Sequence, residues 1–365
     1  MNSLLKIIST PPPIHGSNIM NQYVENSKIL NEKFKTETIH YNFTQNVSEI
    51  GKIKFKKFFK FFKIIVKLIF KLIKFKPDLV YFPIVPYGFS FYRDLLIVAI
   101  LKLFKRKIIF HLHGKGIRKN YSNNKLAYDF VFNNSAIICL SKILKPEVDF
   151  FNSKIYILNN GIHETKQNFK KKKSNILRIL FLSNFIKEKG ILDLLTSISL
   201  LVKAGNNEFV LNLVGNYTNE ISDEILSNKI RSLNISEYVN NLGPLYENDK
   251  YEILTNSDLF IFPTYYPNEC FPLSLIEACQ YSLPIISTYE GAIPEIVENN
   301  FNGFLVNQNN VDELTCKIEE LLHDKEKLHN FSKNSKTKFD KMFKIELFEN
   351  KLKEIMIKEV EECVD

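Results

Sequence analysis

Cysteine is scarce in this 365-residue chain. The five present (Cys139, Cys270, Cys279, Cys316 and Cys363) are odd in number and scattered. No Cys-x-x-Cys pair or His/Cys spacing suggests a disulfide frame or a zinc site, which points to a reducing compartment. No Asp-x-Asp triplet occurs anywhere. No uninterrupted apolar run approaches the roughly 20 residues needed to cross a bilayer. Residues 1–10 reach prolines after one short apolar run, too short for a signal peptide and readable as a first strand. A cytoplasmic chain is expected. Acidic residues are absent from residues 51–76, which hold ten lysines. The net charge is +9, and without that stretch the remainder carries −1. Basicity is therefore local, which argues against a general nucleic-acid-binding surface.

What is present is alternation. Apolar runs at residues 4–8, 36–41, 78–83, 107–113, 136–140 and 155–158 read as strands, with helix-like stretches running to about residue 34 and over 91–104. Residues 163–175 are polar and include four consecutive lysines, as expected of a linker. The pattern then restarts, with strands at 178–182, 209–214 and 259–262. Helices are expected at 191–203, at 311–323, and from 332 to the end. Such alternation predicts an α/β chain with two doubly wound, mainly parallel sheets and ligand at the strand C-terminal ends.

The most informative stretch is 263–295. The strand at 259–262 runs into a loop carrying Glu269, and a helix follows, with Pro272 suited to its first turn. A helix start offers bare N–H groups and a dipole to an anion such as phosphate. Glu277 lies inside the helix among Leu273, Leu275, Ile276, Ala278 and Cys279, a setting that would bury it. Two carboxylates beside a phosphate site would repel phosphate alone. They make sense if each holds hydroxyl groups on either side of a diphosphate, which is the shape of a nucleotide sugar.

Glu269-x7-Glu277, followed by Ala278, Leu283-Pro284, Gly291-Ala-Ile-Pro-Glu295 and Asn302-Gly303-Phe-Leu-Val306, closely resembles the signature of the retaining GT-B glycosyltransferases of family 4. The resemblance covers almost the whole chain and is strongest in its second half. It implies two Rossmann-like domains facing a central cleft. Residues 1–165 would form the acceptor-side domain, 166–175 the linker, 176–340 the nucleotide-sugar domain, and 341–365 a terminal helix returning to the first. It implies transfer of a sugar from a nucleotide-diphosphate sugar to an acceptor hydroxyl, with retention and without a divalent metal. Glu269 would hold the sugar hydroxyls and Glu277 the ribose. Lys189, with the amides of Phe271, Leu273 and Ser274, would stabilise the leaving diphosphate, and His113 would sit beside the sugar and phosphate. His111, two residues before it on the same strand face, reads as a packed neighbour. Gly16 would lie in a loop facing the diphosphate, where Ser17 replaces the second glycine common in the family.

One departure stands out. The family usually carries an arginine five residues before the lysine equivalent to Lys189, and here that position is Asn184. Either Asn184 donates a neutral hydrogen bond, or Lys187 or Lys115 compensates. A degenerate, non-catalytic cleft in a membrane- or nucleic-acid-binding protein, or a nucleotide-sugar enzyme of other chemistry such as an epimerase, are the alternatives.

Residues 52–76 read as a basic amphipathic helix. Lys56, Lys60, Lys63, Lys67, Lys71 and Lys74 recur at spacings of three and four, and Phe55, Phe59, Phe62, Val66, Ile69 and Ile73 line another face. It can be a domain helix packing its apolar face on a sheet. It can also present Lys60, Lys63, Lys67 and Lys71 to anionic lipid. The two readings are compatible, and the second suits a lipid-linked or oligosaccharide acceptor in O-antigen, capsule or similar cell-envelope polysaccharide synthesis, at the inner face of the cytoplasmic membrane.

Overall fold

The strand residues buried on both faces explain why the apolar runs are nearly continuous, as parallel sheets covered by helices require. The computed structural model describes residues 1–42, 55–165 and 169–362, and the chain divides into two units. The first comprises Met1–Gly161 and Ile345–Asp365, and the second Ile162–Lys344. Residues 52–54 of the expected basic helix, 166–168 of the expected linker, and Cys363 lie outside the described residues.

In the first unit, Ser3–Ile8 (β1), Lys35–His40 (β2), Leu79–Phe82 (β3), Lys107–Leu112 (β4), Ala136–Cys139 (β5) and Lys154–Ile157 (β6) form one parallel sheet. Its order is β2-β1-β3-β4-β5-β6. The crossovers hold helices Gly16–Asn26 (α1), Lys28–Lys33 (α2), Phe55–Lys74 (α3), Gly88–Leu103 (α4), Ile117–Tyr121 (α5) and Lys125–Phe132 (α6). Alternation along each strand sorts the side chains. Leu5, Ile7, Val80, Phe82, Phe110 and Leu112 join one core with residues of α3, α4 and α6. Lys6, Tyr81 and His111 point to the opposite face.

Lys6 is fully buried there. Its Nζ donates to the carbonyls of Val24 (3.4 Å) and Glu25 (3.1 Å) in the last turn of α1, and to Asn31 Oδ1 (3.0 Å). It closes a helix C-terminus, where carbonyls lack internal partners and a cation is favoured. The helix-like stretch expected to reach residue 34 breaks at Ser27, which takes extended backbone (ψ 113) and caps α2 by accepting from the Leu30 N–H.

The second unit contains Leu177–Leu182 (β7), Phe209–Val214 (β8), Val239–Gly243 (β9), Leu259–Phe262 (β10), Ile285–Thr288 (β11) and Gly303–Val306 (β12). They form a parallel sheet ordered β12-β11-β10-β7-β8-β9. Its helices are Ile191–Lys203 (α7), Asp223–Ser232 (α8), Glu247–Asn256 (α9), Leu273–Gln280 (α10), Ile293–Ile296 (α11), Val311–His323 (α12) and Lys325–Met342 (α13). In chain order this is the doubly wound 3-2-1-4-5-6 arrangement, whose switch point falls between β7 and β10. The terminal helical run expected from 332 breaks at Phe343. Ile345–Glu361 (α14) then belongs to the first unit, where Lys107 Nζ donates to the Glu359 carbonyl (2.6 Å) and Tyr156 Oη to Glu359 Oε1 (2.6 Å).

Candidate functional site

At the switch point of the second unit, the loops after β7 and β10 are fastened together. Tyr265 N–H donates to the Glu188 carbonyl (2.8 Å), and Thr264 Oγ1 to the same oxygen (3.3 Å). Gly190 has φ +79 and lies so close to the Pro263 carbonyl that a Cβ would strike it. Only glycine serves there, because both the left-handed backbone and the close approach exclude a side chain.

This stitching sets Lys189 opposite Glu269. Its Nζ ion-pairs with Glu269 Oε2 and lies 4.5 Å from the centre of the Tyr266 ring. Both side chains of the pair are largely buried, at 14% and 11% exposure. Glu269 is held from behind as well. Its carbonyl and that of Cys270 crowd Gly291 (φ +55), and Ala292 N–H donates to the Cys270 carbonyl (2.8 Å). A cation and a carboxylate thus converge beside the start of α10. The α10 N-cap is Pro272, in extended backbone just outside the helix rather than in its first turn. Leu273 and Ser274 supply first-turn amides, and amides in this position have no carbonyl partner within their own helix. Phe271 is buried, with its ring 5.9 Å from that of Phe343.

Glu277 differs from its expected setting. It is half-buried rather than enclosed, and Lys250 Nζ, from α9, donates to its Oε1 at 2.6 Å. Lys250 is a residue the sequence reading missed. It stands 27 positions from Glu277 on a polar helix whose pattern marks nothing special. Asn184 accepts from Asn216 Nδ2 (3.0 Å), and Asn216 Oδ1 accepts from Tyr246 Oη (2.9 Å). The position therefore belongs to a neutral hydrogen-bonded chain, and Asn216 and Tyr246 join the residues around it. Lys187 is exposed, and its charge acts on Asp193.

In the first unit, Gly16 is not in a tight loop. It is the exposed first residue of α1, and the preceding His15 caps the helix by accepting from Asn18 N–H at Nδ1 (3.4 Å). His113 follows β4, its ring 4.2 Å from that of His111. Burial, with the His15 imidazole nearby, lowers its pKa to about 3, so it is neutral. His113 Nε2 is buried without a hydrogen-bond partner. His111 is fully buried, and its Nδ1 is 2.6 Å from Tyr81 Oη. Among the described residues, no three His, Cys, Asp or Glu side chains are grouped to hold a metal ion.

The basic helix α3 corrects the reading of its apolar face. Ile64, Leu68 and Leu72, not Phe59, Phe62, Val66, Ile69 and Ile73, enter the core. Lys60, Lys63 and Lys67 are exposed, as is Lys74, but Lys71 is only 18% exposed and ion-pairs with Glu37 on β2.

Two parallel six-stranded sheets with these crossovers are the GT-B architecture of glycosyltransferases. Within the second unit, residues 163–338 match the family model described as glycosyl transferases group 1. Curated relatives include an uncharacterised glycosyltransferase of Methanocaldococcus jannaschii, 26% identical, covering 64% of each chain. The capsular polysaccharide biosynthesis glycosyltransferase CapM of Staphylococcus aureus is 26% identical over 57% of each. An Escherichia coli UDP-Gal:α-D-GlcNAc-diphosphoundecaprenol α-1,3-galactosyltransferase is 30% identical over 38% of this chain and 34% of that one. The chain thus matches less than two thirds of the length of these relatives. Solved structures cover the whole fold. Sucrose-phosphate synthase of Thermosynechococcus elongatus superposes with TM-score 0.76 at 16% identity, covering 98% of this chain and 99% of that one. Anabaena Alr3699/HepE in complex with UDP gives 0.75 at 17%, covering 98% and 100%.

Proposed function

We propose that the protein transfers a sugar from a nucleotide-diphosphate sugar to an acceptor hydroxyl, with retention of configuration. The observation that carries this reading is the Lys189–Glu269 pair at the switch point, next to the first turn of α10. A diphosphate seated there meets Lys189 and the amides of Phe271, Leu273 and Ser274. The sugar hydroxyls meet Glu269, and the ribose meets Glu277, whose carboxylate has acceptor capacity beyond one lysine. Those cationic and N–H donors stabilise charge where it develops, each worth about 3 kcal/mol.

The bond from the anomeric carbon to the diphosphate oxygen breaks, and its electron pair leaves on the diphosphate. The acceptor oxygen bonds to that carbon from the same face. The acceptor proton passes to a phosphate oxygen. Neutral His113 can donate or accept one hydrogen bond beside the sugar. Gly16, opening α1, offers a backbone N–H without a side chain, and the Asn184 amide substitutes a neutral contact for the usual cation. No divalent metal takes part. The names of the relatives support a cell-envelope polysaccharide pathway and an oligosaccharide or lipid-linked acceptor.

A thermal-shift series with UDP, GDP, CDP, ADP and dTDP, each with and without EDTA, tests the donor site. Ligand at 100 times its Kd adds about 2.7 kcal/mol to a folded state that alone binds it. One nucleotide should stabilise the wild type in EDTA and fail to stabilise Glu277→Ala. Stabilisation by none of the five, with the chain folded, overturns the reading in favour of a degenerate cleft.

A further inference from the structure

Most surface helices carry one apolar stripe, turned inward. Helix α3 carries two. Ile64, Leu68 and Leu72 are buried in the sheet core. A second stripe, Phe59, Phe62, Val66, Ile69, Phe70 and Ile73, faces solvent, with Phe59 64%, Phe62 61% and Phe70 60% exposed. At 3.6 residues per turn, Lys60, Lys63, Lys67 and Lys74 occupy the band between the two, on one edge of the exposed stripe. A second helix of this layer is similar. Helix α4 packs on the same core as α3 and exposes Phe89 (73%), Tyr92 (47%), Leu96 (49%) and Leu103 (79%). In the sheet order, the β2-to-β3 and β3-to-β4 crossovers lie side by side.

We infer that this outward face of α3 and α4 docks on an anionic lipid surface, with the aromatic stripe at the headgroup–acyl boundary and the lysines on lipid phosphates. Charge and apolarity are arranged as interfacial helices require: a large apolar face flanked by lysine. Insertion stops at the interface, since among the described residues no helix is long and apolar enough to cross. A second copy of the chain is a poorer occupant. Pairing the α3 stripes antiparallel about a two-fold axis would bring two lysine bands together with no acid on α3 between them, and pairing them parallel would leave both bands without a partner charge on α3. An acidic nucleic acid would satisfy the lysines but leave the aromatic stripes in water. This inference deepens the acceptor side of the reading above, placing the first unit where a lipid-linked acceptor is presented, but its test involves no sugar transfer.

The chain lacks tryptophan, so Phe70→Trp gives a single reporter in the exposed stripe. With vesicles containing 30 mol% phosphatidylglycerol its emission should shift to the blue, and with pure phosphatidylcholine it should not. Sedimentation with the same vesicles should show binding weakened at least 100-fold by Lys60, Lys63, Lys67 and Lys74→Gln together, as the contribution of juxtamembrane lysines predicts. Phe62→Ser with Phe70→Ser should also abolish it, although all lysines remain. Both variants should keep their thermal shift with nucleotide, which separates this result from failure of the donor site. An unshifted tryptophan, equal binding to neutral vesicles, or unchanged binding by either variant overturns the inference. So does a wild-type dimer that the serine variant converts to monomer.

Discussion

The two units share one plan, a six-stranded parallel sheet with helical crossovers, but they use it differently. In the second unit, the distinctive chemistry sits at the strand ends. Loops are drawn so tight that Gly190 and Gly291 have no room for a Cβ, and Lys189 and Glu269 are set by that tightness, with the Lys250–Glu277 pair on the neighbouring helices. In the first unit, the distinctive feature sits on the helical layer, where α3 and α4 each turn a row of large apolar side chains outward. Under the two readings proposed above, the same scaffold serves precision at the strand ends of one unit and adhesion on a helix face of the other. These demands differ, since a reacting site tolerates little displacement whereas an interfacial patch needs only area and charge.

The contrast is broken most severely at Lys189. Lys189→Met should lower sugar transfer by at least 100-fold, the scale of losing one preorganised donor to a leaving group, while vesicle binding is unchanged. Loss of both activities would mean that the units do not divide the work. Next is Gly190→Ala, which forces a Cβ onto the Pro263 carbonyl in a left-handed backbone. It should cost about 3 kcal/mol in urea unfolding, the scale of strain at a special backbone position, and abolish nucleotide-induced stabilisation. Lys250→Met leaves the Glu277 carboxylate without its lysine. The expected result is about tenfold weaker nucleotide binding by calorimetry, as for loss of one charge-assisted hydrogen bond of about 1.5 kcal/mol.

The last prediction concerns the first unit and is read as a pH dependence. His113 is held neutral down to about pH 3 against an ordinary value of 6.5. The unfolded chain therefore takes up a proton in this window that the folded chain refuses. Stability falls as pH drops from 6.5 toward 3, by up to about 1.4 kcal/mol per pH unit. His113→Asn should make the urea midpoint less sensitive to acid between pH 6.5 and 5, with His111 and His15 accounting for a remaining slope, since both are also lowered by burial.

Strands β1, β7, β8 and β10 were legible because their apolar runs are short, continuous and bounded by turn residues. Helices α7 and α12 could be placed to the residue for the corresponding reason, clean 3.6-residue periodicity ended by polar stops. Helices α5 and α6 were not, since residues 114–135 mix glycine, asparagine and aromatic residues without a period. The Glu269 loop and Lys189 could be read locally. The Lys250–Glu277 contact could not, because it joins side chains of two helices, α9 and α10, that β10 separates in the sequence. On α3, periodicity revealed apolar and basic bands but not which apolar band a sheet would cover. The Lys71–Glu37 pair likewise depends on where β2 passes.

The division of the chain also has a consequence for its synthesis. The first unit is the earlier to leave the ribosome, yet its last helix, α14, is made only after the whole of Ile162–Lys344. At roughly 5–20 residues per second, the sheet face that bears Tyr81 and His111 waits on the order of ten seconds or more for the helix whose Phe348 ring stacks on His111. During that interval the Tyr81–His111 part of the sheet lacks its α14 cover, and a nascent-chain chaperone would find its target there.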